Sequence, residues 1–193
     1  MKNKVAKILI IVGLLICLSS LAIKGYSKYL ETKSTKNFEE QINKNSKETK
    51  NDDFSNIKAG DEIALINIES IGLNTVVVES IEKQYLNHYV CHFENSAMPG
   101  ENGNFSLAGH SSYRYNEVFN ELHKIKLDDE IIIKTLNNKF TYIVKDIFEV
   151  NPEDTFVLDQ DNDIKELTIV TCTNKGKDRL IVKAQILEGE KDT

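Results

Sequence analysis

A thiol, an imidazole and a guanidinium brought to one place can carry acyl transfer, and three residues of this chain supply them: Cys172, His110 and Arg179. A thiol with an ordinary pKa of about 8.5 is mostly protonated at neutral pH, so it needs a neighbouring imidazole or cation to work as a nucleophile. Cys172 ends the short apolar, β-branched run Leu167–Thr171, and Arg179 opens a second run in which Leu180, Val182, Ala184 and Ile186 alternate with more polar positions. The loop between them, Thr173 to Asp178, is polar and contains Gly176, so the spacing predicts a hairpin with Cys172 facing Arg179 at its mouth. Opposed residues stand roughly 5 Å apart at Cβ, which lets the guanidinium reach whatever bonds to the sulfur. His110 closes the segment Gly103–His110. There Phe105 and Leu107 point one way and Ser106, Ala108 and His110 the other, so the imidazole is expected on a face of small side chains with room for a substrate. Only two arginines accompany 22 lysines, and an arginine in such a chain is expected where its planar fork is needed.

Together these motifs resemble the sortases, cysteine transpeptidases of Gram-positive cell surfaces. The resemblance is carried by Thr168-Ile-Val-Thr-Cys172, by Arg179 seven residues on, by Gly103-Asn-x-x-x-Ala-Gly-His110 upstream, and by Met98-Pro-Gly-Glu-Asn-Gly-Asn104 before that. It covers about two-thirds of the chain, from near Glu62 to near Leu187. Ile169 stands where the family pattern has leucine, and Ser111 stands where many members have an arginine after Gly-His. The resemblance implies a closed, antiparallel eight-stranded β-barrel. It also implies cleavage of a C-terminal Leu-Pro-x-Thr-Gly-like sorting signal through a thioacyl-enzyme, with transfer to an amine of a cell-wall precursor or a pilin. Cys172 would be the nucleophile, His110 the general acid and base, and Arg179 the group that holds substrate and stabilises the oxyanion. His92 matches a pocket histidine of the family, with Cys91 where a glycine usually precedes it; His92, Thr171, Ala108 and Ser111 are the expected substrate-binding residues. No cofactor and no metal are implied. The compact barrel looks most like class A or class D, with D the nearer.

Ahead of the barrel lie the elements that place it. Residues 1–4 are basic. The apolar stretch 5–23, with sixteen uncharged residues from Ile8 to Ile23, is about 28 Å long as a helix, enough to span a hydrocarbon core of about 30 Å. Lys2, Lys4 and Lys7 predict a cytoplasmic N-terminus and an extracellular domain on a single-pass anchor. A cleaved signal peptide is the rival reading, since Ser20-Leu-Ala22 fits a small-x-small site. Residues 24–60, with eight lysines, six acids and few apolar side chains, are expected to be a flexible or partly helical spacer. The catalytic unit is expected over 61–190, followed by a tail, 191–193.

From Asp61 onward 13 basic and 24 acidic residues leave a formal charge of −11, which excludes nucleic acid and anionic lipid as preferred partners of this part. Seven runs read as strands: Glu62–Ile68, Thr75–Glu79, Asn104–Ala108, Glu130–Leu136, Lys139–Val150, Leu167–Thr171 and Arg179–Leu187. Asn137-Asn138 suggests a two-residue turn at positive φ. Residues Ile81–Asn87 and Asn116–Ile125 have helical spacing. An eighth strand is owed, either unseen or made by splitting Lys139–Val150.

Other constellations carry less. His88, Cys91 and His92 have no second ligand pair at zinc spacing, and Asp159–Asp163 lacks the glycine and glutamate of a calcium loop. A Cys91–Cys172 disulfide would silence the nucleophile. Two other function classes remain beside the transpeptidase. One is a tethered β-barrel binding module with a degenerate site. The other is a cysteine peptidase that only hydrolyses; a papain-like arrangement is disfavoured because here histidine precedes cysteine.

Overall fold

A computed structural model describes residues 2–45, 52–111, 118–173 and 176–187. The start of the helical stretch at Asn116, part of the loop after Cys172, the tail 191–193 and the first residue lie outside the described residues. Eight strands close into one barrel: β1 (Glu62–Ile68), β2 (Leu73–Glu79), β3 (Val90–His92), β4 (Gly103–Ala108), β5 (Glu130–Lys134), β6 (Lys139–Val150), β7 (Lys165–Thr173) and β8 (Asp178–Ile186). Their order around the barrel is β1-β2-β3-β4-β7-β8-β6-β5. Two of these pairings, β2 with β3 and β4 with β7, are parallel, so the barrel is not antiparallel throughout. Parallel neighbours need a crossover. The short helix α2 (Lys83–Leu86) lies in the first crossover, and the β5–β6 hairpin lies in the second.

The eighth strand is Val90–His92, within a stretch whose polarity suggests a loop. The long run stays whole as β6 and absorbs a bulge between Val144 and Asp146. The turn after β5 also differs from expectation. Thr135 N–H donates to the Asn138 carbonyl at 2.9 Å, so Leu136 and Asn137 are the central residues, and neither has positive φ. The Asp52 carboxylate fixes this turn by accepting from Asn137 N, at 3.2 Å, and from Asn138 Nδ2, at 2.7 Å.

Period-two patterning decides what faces inward. Ile66, Val77, Phe105, Leu107, Ile131, Ile133, Tyr142, Leu167, Ile169 and Val182 fill the barrel. Val118, Phe119, Leu122 and Ile125 close it from the segment expected to be helical, whose described residues show a 3₁₀ turn at Leu122–Lys124 and no α-helix.

Helix α1 (Lys2–Asn45) is continuous from the apolar stretch into the supposed spacer. Its first half exposes its apolar side chains. Its second half buries Ser27, Glu31, Thr35 and Phe38 at four-, four- and three-residue steps. Phe38, 1 % exposed, sits on Leu65, Val76 and Val78, the outward faces of β1 and β2. Thr35 Oγ1 accepts the Val76 N–H at 3.2 Å, and Asn74 Nδ2 donates to Glu39 at 2.9 Å. Residues 24–45 are therefore docked on the barrel rather than spacing it freely. The stripe escapes a search for apolar periodicity because three of its four buried members are polar.

Candidate active site

The last residues of β7 and the first of β8 build the site. Cys172 is paired with Arg179, and Thr173 with Asp178, in the antiparallel register. Arg179 Nη1 donates to the carbonyls of Gly176 and Asp178, each at 3.2 Å. These bonds fold the side chain back over its own loop and fix the plane of the fork.

His110 arrives from the other side of β7. Parallel β4 pairs Ala108 with Val170, and the ladder runs one step further as Gly109 N–H donates to the Val170 carbonyl at 3.2 Å. Carried on, this register sets His110 beside Cys172. Three bonds lock it there. Thr171 Oγ1 donates to the Gly109 carbonyl at 2.7 Å, Ser111 Oγ donates to the Cys172 carbonyl, and Phe119 N–H donates to the His110 carbonyl at 3.0 Å. Gly109 is required by close approach: a Cβ there would stand 2.5 Å from the Phe119 ring. His110 is half-buried, and burial lowers its pKa below the usual histidine value, so the imidazole is neutral at pH 7 and able to accept a proton.

The structure thus brings Cys172, His110 and Arg179 to one end of the barrel, with Ala108, Ser111 and Thr171 around them. Thr171, 4 % exposed, and Ser111 both spend their hydroxyls on joining β4 to β7. The small-residue face of β4 is open only at its end. Ser106 is fully buried, its N–H donating to Ser96 Oγ at 3.1 Å.

His92 is placed differently from a pocket-lining side chain. It is fully buried, with Nδ1 2.7 Å from Glu79 Oε2 and Nε2 within 3.1 Å of the Ala97 carbonyl and 2.8 Å of Ser96 Oγ. Its ring lies against Phe105, centroids 5.1 Å apart. It therefore ties β2 to the segment that leads into Pro99 and β4, and bears on His110 only through that strand. Gly100, at φ +80, continues the same support: its N–H donates to Tyr142 Oη at 3.0 Å, and a Cβ would meet the Phe140 ring at 2.2 Å. Cys91, next to His92, is fully buried, and burial followed by the Glu79 charge pushes its thiol up to about 12.

The sequence shows Glu79 only as the end of a strand and Phe119 only as one apolar position of a helical face, whereas in the structure they hold His92 and Gly109. It shows Gln160 only as part of the acidic turn considered for calcium. Its Oε1 accepts from Ala97 N at 3.2 Å and Asn104 N at 2.9 Å, pinning the start of β4. Among the described residues no three His, Cys, Asp or Glu side chains converge on a common point.

A family model described as sortase domain matches residues 66–187. Sortase A of Bacillus anthracis is 31% identical over 131 residues, which are 67% of this chain and 61% of that protein; the match thus spans about three-fifths of the relative. Sortase A of Listeria monocytogenes is 23% identical over 189 residues, covering 89% of this chain and 84% of the relative. Among solved structures, a Clostridium perfringens Sortase D5 transpeptidase superposes with a TM-score of 0.73 at 48% identity, over 82% of this chain and 99% of the other. A sortase C of Clostridium perfringens, solved with the C-terminal cell wall sorting motif, shares the fold at TM-score 0.65 and 23% identity, over 87% and 98% of the two chains.

Proposed function

The chain belongs to the sortase family, and we propose that it works as a membrane-anchored cysteine transpeptidase with Cys172, His110 and Arg179 as its catalytic residues. Sortases in general are cysteine transpeptidases that act on surface proteins bearing a sorting signal and anchor them to the cell wall. The observation that carries the reading is the register: one pairing sets Cys172 opposite Arg179, and the parallel ladder beside it delivers His110.

Cys172 Sγ adds to the scissile carbonyl carbon while its proton passes to the neutral His110 imidazole. The oxygen becomes an oxyanion within reach of the Arg179 fork. Collapse of the adduct breaks the C–N bond, His110 returns the proton to the leaving amine, and a thioester remains on Cys172. An acceptor amine then adds to the thioester carbonyl, giving its proton to His110; the C–S bond breaks and the sulfur takes the proton back. No step calls for a metal or a cofactor.

The substrate is a Leu-Pro-x-Thr-Gly-like signal, and the acceptor an amine of the cell-wall precursor or of a pilin. The 48% identity to a Sortase D5 transpeptidase favours the class D reading over class A. Residues 5–23 anchor the chain with residues 1–4 in the cytoplasm and the barrel outside, supported by the exposed apolar first half of α1.

The test is a fluorogenic Leu-Pro-x-Thr-Gly peptide incubated with the purified chain, with and without an amine acceptor. Amine-dependent product that disappears in Cys172→Ala is expected. Hydrolysis with no adduct at any acceptor concentration would make the protein a peptidase, and no cleavage at all would make it a binding module.

A further inference from the structure

Helix α1 does more than anchor the chain, because the direction in which it crosses the barrel fixes which end of the barrel meets the membrane. The barrel has two distinct ends. One carries the C-terminal ends of β4 and β7 and the N-terminal ends of β2 and β8, and with them Gly109, His110, Cys172 and Arg179. The other carries the N-terminus of β1 and the turn after β5.

The docked half of α1 runs between these ends. Its earlier residues, Lys24, Ser27, Lys28 and Glu31, line a cavity of about 430 Å³ together with Leu73 and Val118, at the catalytic end. Its later residues, Phe38 and Gln41, line another with Ile63 and Asn137, at the opposite end. Followed back toward the N-terminus, the helix leaves the barrel from the catalytic end and enters the apolar stretch without a break.

Four contacts hold it on the barrel wall, and because Glu39 meets Asn74, nearer the catalytic end than the Val76 that Thr35 meets, the helix crosses β2 obliquely. Ser27 Oγ meets His88 Nδ1 at 2.8 Å near the start, Thr35 Oγ1 accepts from Val76 N, Phe38 is buried on β1 and β2, and Glu39 accepts from Asn74. A row of pairings joins Val78, Cys91, Ala108 and Val170, so Cys172, two residues on toward the catalytic end, shares a row with Val76 and hence with Thr35. Thr35 is twelve residues beyond the end of the apolar stretch at residue 23, which at 1.5 Å per residue is about 18 Å of helix. Strand tilt moves the thiol from that height by about 10 Å at most.

We propose that residues 24–45 form a docked strut that turns the catalytic end of the barrel toward the bilayer and holds Cys172 about 20 Å above it. The partners this geometry serves are substrates whose reacting groups are themselves held at the membrane surface. A soluble peptide gains nothing from the strut, whereas a membrane-held one meets a site already at its own height and facing it. The inference rests on the membrane-anchor reading of α1, and its test separates the two.

The full chain with Cys17→Ser is reconstituted in lipid nanodiscs and labelled with a fluorophore at Cys172, Cys91 being fully buried. A second sample carries Cys17→Ser, Cys172→Ser and Lys58→Cys, which moves the label to the exposed residue before β1 at the far end. Energy transfer to an acceptor lipid is expected to be stronger from Cys172 than from position 58. Inserting ten Gly-Ser residues between Lys24 and Gly25 leaves the docking contacts intact and should abolish that difference. It should also lower turnover of a membrane-anchored signal peptide by about ten-fold while leaving a soluble one unchanged, because a flexible link dilutes the local encounter. Equal transfer from the two positions, stronger transfer from position 58, or a difference that survives the insertion would overturn the proposal. A chain that does not stay in the disc removes the anchor and the proposal together. The expected ordering in a protein that cleaves no peptide would keep the strut and sink only the transpeptidase reading.

Discussion

Arg179→Lys keeps the positive charge opposite Cys172 and removes the fork, so it asks whether geometry or charge is at work. In the structure Nη1 is committed to the carbonyls of Gly176 and Asp178, which fixes the guanidinium plane, while Nη2 and Nε have no hydrogen bond among the described residues. Those two are the donors left for a substrate and an oxyanion. A lysine ammonium is a single nitrogen on a flexible stem. If it satisfies the loop carbonyls it has no second group aimed at the reacting carbonyl, and if it turns to the substrate the loop loses its tie. Either way at least one oriented donor is lost, which typically costs about 10²–10³ in rate, or roughly 3–4 kcal/mol of transition-state stabilisation. The folded state loses far less: two bonds between a half-buried side chain and loop carbonyls are worth about 1 kcal/mol, or about 4 °C in melting temperature for a domain of this size. The assay is kcat/KM on the signal peptide beside a thermal melt of the same preparation. Turnover within a factor of three of the parent in a fully folded variant would refute the assignment of Arg179. A collapse of the melt instead would show that the residue serves the hairpin rather than the chemistry.

Burial holds the His110 pKa below the ordinary 6.5, so the neutral imidazole persists to lower pH than in an exposed histidine. The acid limb of kcat/KM should therefore fall below pH 6.5, and a limb centred above 7 would contradict it. The sign for stability is the same. A folded pKa lower than the unfolded one makes the unfolded chain the better proton acceptor, so this group's contribution is full above pH 6.5 and is lost as pH falls through the folded value. Cys91, pushed up to about 12 and fully buried, should resist alkylation by iodoacetamide at pH 8 in the native protein while Cys172 reacts; mass spectrometry finding the label on Cys91 first would reverse the roles. His92→Ala leaves Glu79, 5 % exposed, without its partner inside the barrel wall, and should destabilise by about 3–5 kcal/mol in a denaturant melt. A loss below 1 kcal/mol, with kcat/KM reduced, would instead make His92 a residue of the pocket.

How much of this was legible in the sequence follows from what each residue does. β1 and β6 fall where their patterning places them, because both faces of a barrel strand are read through its side chains and those strands alternate or run apolar over seven and twelve residues. β3 is three residues long, and His92 is inside only because Glu79, Ser96 and the Ala97 carbonyl come from elsewhere to meet it. No local pattern announces a histidine whose partners lie thirteen residues before and five after it. The docked helix is hidden for the same reason. Ser27 and Thr35 look like surface residues until His88 is seen to meet the first and Val76 N–H to donate to the second, Glu31 is a buried acid, and only Phe38 carries the apolar signal. The three side chains proposed as catalytic are legible because chemistry restricts residue type: few groups other than thiol, imidazole and guanidinium do such work. Their supports act through backbone atoms and close approach, as Thr171 does on the Gly109 carbonyl and Phe119 does under Gly109, and such work leaves wide freedom of type. It follows that changes at the supports should act on turnover by displacing His110 without touching substrate. Gly109→Ala is the clearest instance: its new methyl would stand 2.5 Å from the Phe119 ring, so either that buried ring or the backbone leading into His110 must give way, and the second path lowers turnover.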